Sequence, residues 1–169
     1  MIPIQTRNKR KNSGSFIFYN FIILFFGLTV SLSAAPFVDN GDGTITDIGN
    51  ALIWQKCTND LSGNNCEIGG TTQLNWNDAL NYCNNLSLAG KVWRLPNITE
   101  LRSIVKHAGL SPVIDSVTFP ATATQYYWSS TTYLLATSQA WSINFQSGFT
   151  AGTNGKTYVL FVRCVTSPP

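Results

Sequence analysis

Apolar residues recur along this 169-residue chain in three rhythms, each implying a different element. Phe16 to Val30 is a nearly continuous apolar run. Trp76, Ala79, Leu80, Cys83 and Leu86 fall at i, i+3, i+4, i+7 and i+10, one face of a helix. Asn75 is placed to cap it, Asp78 forms a variant capping box, and Gly90 suits the stop. A second helix follows Lys91-Val92-Trp93-Arg94-Leu95-Pro96. Asn97 is its cap, Glu100 completes the box, Leu101, Ile104, Val105 and Ala108 form the buried stripe, and Gly109 ends it. Cys83 therefore points into the core.

Elsewhere the pattern is that of short strands. Ala51-Leu52-Ile53-Trp54-Gln55 is the clearest, and Tyr126-Tyr127-Trp128-Ser129-Ser130 and Gln139 to Phe145 follow. In the last of these, Trp141, Ile143 and Phe145 alternate on one face. Tyr158 to Val165 is apolar on both faces, which places it centrally, with Leu160, Val162 and Cys164 sharing a face. Strands, two helices, then strands define an α+β domain without internal repeats.

The loops have a chemistry of their own. Asp39-Asn40-Gly41-Asp42-Gly43 is a tight turn, since Asp, Asn and Gly tolerate positive φ. It fails the EF-hand pattern in every register, so no calcium site is read there. Cys57 and Cys66 bracket a polar surface loop.

Export changes the charge balance. Arg7, Lys9, Arg10 and Lys11 precede the apolar run, and Ser31, Ser33, Ala34 and Ala35 follow it, the three parts of a secretory signal. Residues 1–35 are read as this signal, cleaved between Ser33 and Pro36, and 36–169 as a single domain. No stable membrane span is expected after cleavage. Four of the 11 basic residues lie in the signal, leaving 7 against 8 acidic ones. The remaining chain has no net basic field to attract nucleic acid.

All four cysteines follow the signal, and in an oxidising compartment an even count implies two disulfides, with three pairings open. Cys83 lies on the core face of a helix and Cys164 on a central strand, so they are expected to pair, leaving Cys57 with Cys66. In the loop-entropy model the long closure contributes ~4.5 kcal/mol and the short one ~2.5 kcal/mol. No CxxC occurs and His107 is remote in sequence from every cysteine, so neither a metal nor any other cofactor is expected.

Six ordered segments together resemble the Lcl C-terminal domain family, named after a Legionella collagen-like adhesin. They are Phe37–Thr44, Leu52–Lys56, Trp76–Leu80, Trp93–Asn97, Tyr127–Thr131 and Val162–Val165. The resemblance covers about Phe37 to Val165 and implies a C-type-lectin-like fold, its first helix tied to its last strand by a disulfide. It also makes sulfated polysaccharide a candidate ligand. Trp76-Asn77-Asp78 spells a calcium-site tripeptide of true C-type lectins, but it opens a helix here and lacks the partner motifs.

The expected function is an exported ligand-binding module, a surface adhesin for extracellular glycan or host matrix protein. The alternative is a structural subunit of an envelope or extracellular assembly, and homo-oligomerisation fits either. The compartment is read as periplasm, cell surface or extracellular space. One histidine and eight scattered acids offer no nucleophile–base spacing, so no enzyme is expected. Recognition is placed on the polar, aromatic-bearing stretch Ser111–Gly155 and its flank, with Tyr133, Gln139, Asn144, Asn154 and Lys156 as candidate contacts.

Overall fold

The computed structural model describes residues 36–106 and 111–168, within the unit Ala34–Pro169. The segment expected as a signal and His107, Ala108 and Gly109 lie outside the described residues. The architecture is mixed α+β, two helices with antiparallel sheets and two disulfides. Among the described residues no helix is long and apolar enough to cross a membrane.

The N-terminal strands β1 (Phe37–Asp39), β2 (Thr44–Asp47) and β3 (Leu52–Gln55) form a meander. The aspartates of the first turn shape it. Asp39 accepts the Gly41 N–H at 3.0 Å, and Asp42 accepts the Thr44 N–H and hydroxyl at 3.1 and 2.6 Å. Every residue of β3 is buried, because the strand divides its side chains between two cores. Leu52 and Trp54 join one with Ile45, Leu101, Phe119, Tyr127 and Ile143. Ile53 joins the other with Ala79, Cys83, Trp93, Trp128 and Cys164.

Helix α1 (Trp76–Asn84) starts as its cap residues dictate, Asn75 accepting the Asp78 N–H at 3.0 Å. It stops six residues short of Gly90. Asn85 caps it, its side-chain amide donating to the Asn81 carbonyl at 2.9 Å, so the Asn84-Asn85 pair competes with the backbone for that acceptor. Gly90, at φ +64°, instead serves the turn that follows. Helix α2 (Ile98–Ser103) has the full capping box at Asn97 and Glu100, but it also ends early. Past the C-cap Ile104 the chain turns away, and Lys106 N–H donates to the Val113 carbonyl at 2.7 Å.

Arg94 clamps the start of α2, its two Nη atoms 2.7 Å from the two Glu100 carboxylate oxygens. Burial works to raise the Glu100 carboxyl, but the Arg94 and Asn97 hydrogen bonds outweigh it and hold it below its ordinary 4.5. A depressed carboxyl stabilises the fold above its unfolded value, and that contribution is lost as pH falls through the folded value. Glu100→Gln is therefore expected to cost about 1 kcal/mol at neutral pH, part of the pair's strength being screened by solvent. In urea titrations the gap between variant and parent should narrow as pH falls below the ordinary 4.5 and through the lower folded value. A gap that does not narrow as the carboxyl is protonated would assign the effect to lost packing.

The stretch expected as a plain surface loop contains β4 (Leu61–Ser62), which pairs with β5 (Ile68–Gly69), just beyond Cys66, in a small hairpin. A second sheet consists of β6 (Tyr126–Thr132), β7 (Gln139–Asn144) and β8 (Thr150–Gly155) in that order.

The expected central strand at Tyr158–Val165 is central but is not one strand. Only β9 (Val165–Thr166) is regular, pairing with β3. Before it, the backbone exchanges hydrogen bonds with a different neighbour at almost every step. Leu160 pairs with Leu74, Phe161 with Tyr126 and Trp128, Val162 with Asn59, and Cys164 with Gln55. An apolar run on both faces marks burial, and burial here means threading between elements rather than lying in a ladder.

Candidate functional site

Both helices are docked on one irregular stretch of β6. Between Trp128 and Thr132 the register against β7 slips, so that β6 carries two extra residues. The bulge turns polar groups of Ser129, Ser130 and Thr131 toward the helices. Ser129 carbonyl accepts the Trp76 indole N–H at 2.9 Å, Ser130 N–H donates to the Pro96 carbonyl at 2.8 Å, and Thr131 hydroxyl accepts the Ile98 N–H at 3.0 Å. The start of each helix is thereby fixed against the sheet.

A second irregularity, on β8 opposite Ala140–Ser142, shapes the surface beyond α2. Ala140 and Ser142 turn inward, leaving Trp141 half-buried on the other side. Its ring meets Tyr133 edge-on, centroids 5.5 Å apart at 82°. Gly152 lies beneath both: a Cβ there would come within 2.9 Å of the Tyr133 ring and 3.1 Å of Trp141. The glycine is what lets the two aromatics settle onto the strand. Trp141, Ile98, Thr99, Arg102 and Thr150 line an open groove of about 360 Å³, whose one charged residue is Arg102.

The five tryptophans divide in a telling way. Trp54, Trp93 and Trp128 are essentially fully buried. Trp76, Trp93 and Trp128 each donate the indole N–H to a backbone carbonyl at 2.8–2.9 Å. Trp141 alone is both partly exposed and without a protein acceptor for its N–H among the described residues. It presents an aromatic face and a free donor to whatever enters the groove.

The residues expected as contacts are scattered around this sheet. Tyr133 belongs to the Trp141 platform. Gln139 opens β7, its carbonyl accepting the Tyr133 N–H at 2.9 Å. Asn144 closes the β7–β8 turn, accepting the Gln146 N–H at 2.8 Å. Asn154 donates inward to the Ser142 hydroxyl at 2.6 Å. Lys156 donates to the Thr132 hydroxyl at 2.9 Å and sits 3.8 Å from the Trp76 ring centroid. Tyr133 alone of the five adjoins the groove. Trp141, Arg102 and Gly152 were not singled out from the sequence. Alternation had placed Trp141 on one face with Ile143 and Phe145, without indicating that Trp141 stays half-exposed, and the glycine inside a β stretch was the available sign of a bulge.

Both expected disulfides are present. Cys57–Cys66 spans Cα atoms 5.4 Å apart and Cys83–Cys164 5.5 Å apart. They indicate an oxidising compartment outside the cytoplasm.

Residues 43–166 match the model of the Lcl C-terminal domain, nearly three quarters of the chain. The chain belongs to the Lcl C-terminal domain family. No curated protein and no solved structure matches it.

Proposed function

We propose that this chain is an exported binding module of C-type-lectin-like build that recognises an extracellular glycan in the groove beside Trp141. The helix-to-C-terminal-segment disulfide and the family membership support the lectin-like reading. The observation that carries the ligand reading is Trp141 itself, half-exposed, braced by Tyr133, its N–H unclaimed. A flat aromatic face packs the C–H face of a sugar ring. The indole N–H, the hydroxyls of Thr99 and Thr150 and the Arg102 guanidinium supply polar anchoring around it. A single guanidinium suits a neutral or weakly anionic saccharide better than a densely sulfated polymer, whose binding draws on many cations.

A glycan and matrix-protein panel read by tryptophan fluorescence tests this. At least one glycan should shift the emission, and Trp141→Ala should weaken its binding by at least about tenfold while leaving the fold intact. Unchanged glycan binding by that variant, or binding of matrix protein alone, would sink the proposal.

A further inference from the structure

Another concavity lies away from this groove. A cleft of about 500 Å³ opens between the Asp42–Gly43 turn, the disulfide-pinned loop from Cys57 to Asn64, and the last turn and exit of α1. That volume falls within the ordinary range for small-molecule sites. At its base Gln55, 4% exposed, is fixed from both ends. Its carbonyl oxygen accepts the Cys164 N–H at 3.1 Å, and its amide donates to the Tyr82 hydroxyl at 3.1 Å. The same hydroxyl accepts the Asp60 N–H at 3.2 Å.

Two incoming N–H groups occupy both lone pairs of a phenol oxygen. The Tyr82 O–H is therefore left only to donate, and no described residue accepts it. Two exposed carboxylates also line the cleft, each with one oxygen committed. Asp42 Oδ1 holds the Thr44 turn and Asp60 Oδ2 takes the Asn59 amide, which leaves the other oxygen of each unengaged. No cationic side chain lines the cleft, and Lys56, beside Cys57 in sequence, is bound to Asp39 at 2.7 Å. Leu61, Leu86 and Leu88 give it an apolar wall.

The wall is preformed. Asp60 sits at φ +63°, and Gly69, at φ +102°, passes so close that a Cβ would lie 2.2 Å from the Asp60 carbonyl oxygen. The Cys57–Cys66 bond holds the same loop covalently. A ligand would spend little of its binding energy on ordering this site.

We infer that the cleft is a second binding site, separate from the Trp141 groove, for an amino sugar carrying a free ammonium group. Such a ring combines three complementary features. A hydroxyl oxygen accepts from Tyr82, an adjacent ammonium donates to Asp42 and Asp60, and a C–H face packs on the leucines. Acetylating the amine removes the charge and adds bulk, and a plain hexose lacks the charge.

The test is a titration of isotope-labelled protein, purified with both disulfides intact, with glucosamine, glucose, N-acetylglucosamine and glycinamide. Glucosamine should shift and saturate the Asp60 N–H and Gln55 side-chain amide signals. The two uncharged sugars should bind at least about fivefold more weakly. Asp60→Asn should weaken glucosamine about two- to fivefold with the spectrum otherwise preserved, since Asn accepts positive φ as readily as Asp. Asp42→Asn should act similarly, its Oδ1 still holding the turn. Trp141→Ala should leave the glucosamine-induced shifts of the Asp60 N–H and Gln55 side-chain amide unchanged, which separates this site from the groove. The inference is overturned if glucosamine does not bind, if glucose binds equally well, if glycinamide matches glucosamine, or if the shifts centre on Trp141.

Discussion

Arg163→Met is expected to lower stability by about 3–5 kcal/mol, enough to unfold a large fraction of a marginal domain. Arg163 is fully buried, and no carboxylate of the described residues pairs with it. Burial accordingly pushes its pKa down. Its charge is instead solvated by the protein. Nη1 donates to the Gln55 carbonyl at 3.0 Å and to the Lys56 carbonyl, Nη2 donates to the Thr122 hydroxyl at 2.8 Å, and the guanidinium lies 4.8 Å from the Phe119 ring centroid. Two opposing effects meet in the variant. Removing an unpaired buried cation relieves a desolvation cost of several kcal/mol. Against that, two carbonyls and a hydroxyl lose their donor at about 1–3 kcal/mol each, and the ring contact is lost as well. The lost bonds outweigh the relief because the guanidinium serves several acceptors at once and methionine serves none. Equilibrium unfolding in urea measures the difference, and a methionine variant as stable as the parent would show that the two effects cancel.

The Cys83→Ala/Cys164→Ala double variant is expected to lose ~4.5 kcal/mol, against ~2.5 kcal/mol for Cys57→Ala/Cys66→Ala. The first bond closes 81 residues and the second 9, so the unfolded chain regains far more freedom in the first case. The longer bridge also lies at 0% exposure in the core beside Trp93, Trp128 and Val162, where two alanines leave a void. Denaturation of the two variants side by side gives the ranking. Equal losses would show that local strain or packing, rather than loop length, sets the contribution of each bond.

Those two bonds were readable from sequence because they follow from which face each cysteine occupies. The helix starts were readable for a similar reason. Asn75 with Asp78 and Asn97 with Glu100 act within one turn, and no distant partner can override them. Helix ends were less so, since Asn85 and the turn after Ile104 stop both helices before the glycines do. The least legible parts are those set by register. Nothing local announces that β6 gains two residues opposite β7, and Gly152 alone hints at the bulge in β8. Yet the slip in β6 decides that Thr131 meets the start of α2, and Gly152 leaves room for Tyr133 and Trp141 to settle together. The cleft over Tyr82 was equally hidden, being assembled from a turn, a loop and a helix exit that are far apart in sequence.

The threaded segment from Leu160 to Thr166 has a consequence for the order of events in folding. Its backbone partners lie at residues 53–59, 74, 94 and 126–128, so the central part of both cores is supplied by chain that emerges late. Such long separations make nucleation slow, because loop-closure entropy must be overcome before the contacts form. Until that segment arrives, β3 has β2 on one edge but nothing on the other, and Cys83 lacks its disulfide partner. For a chain exported as proposed, such late completion keeps the domain from closing before its last segment is available.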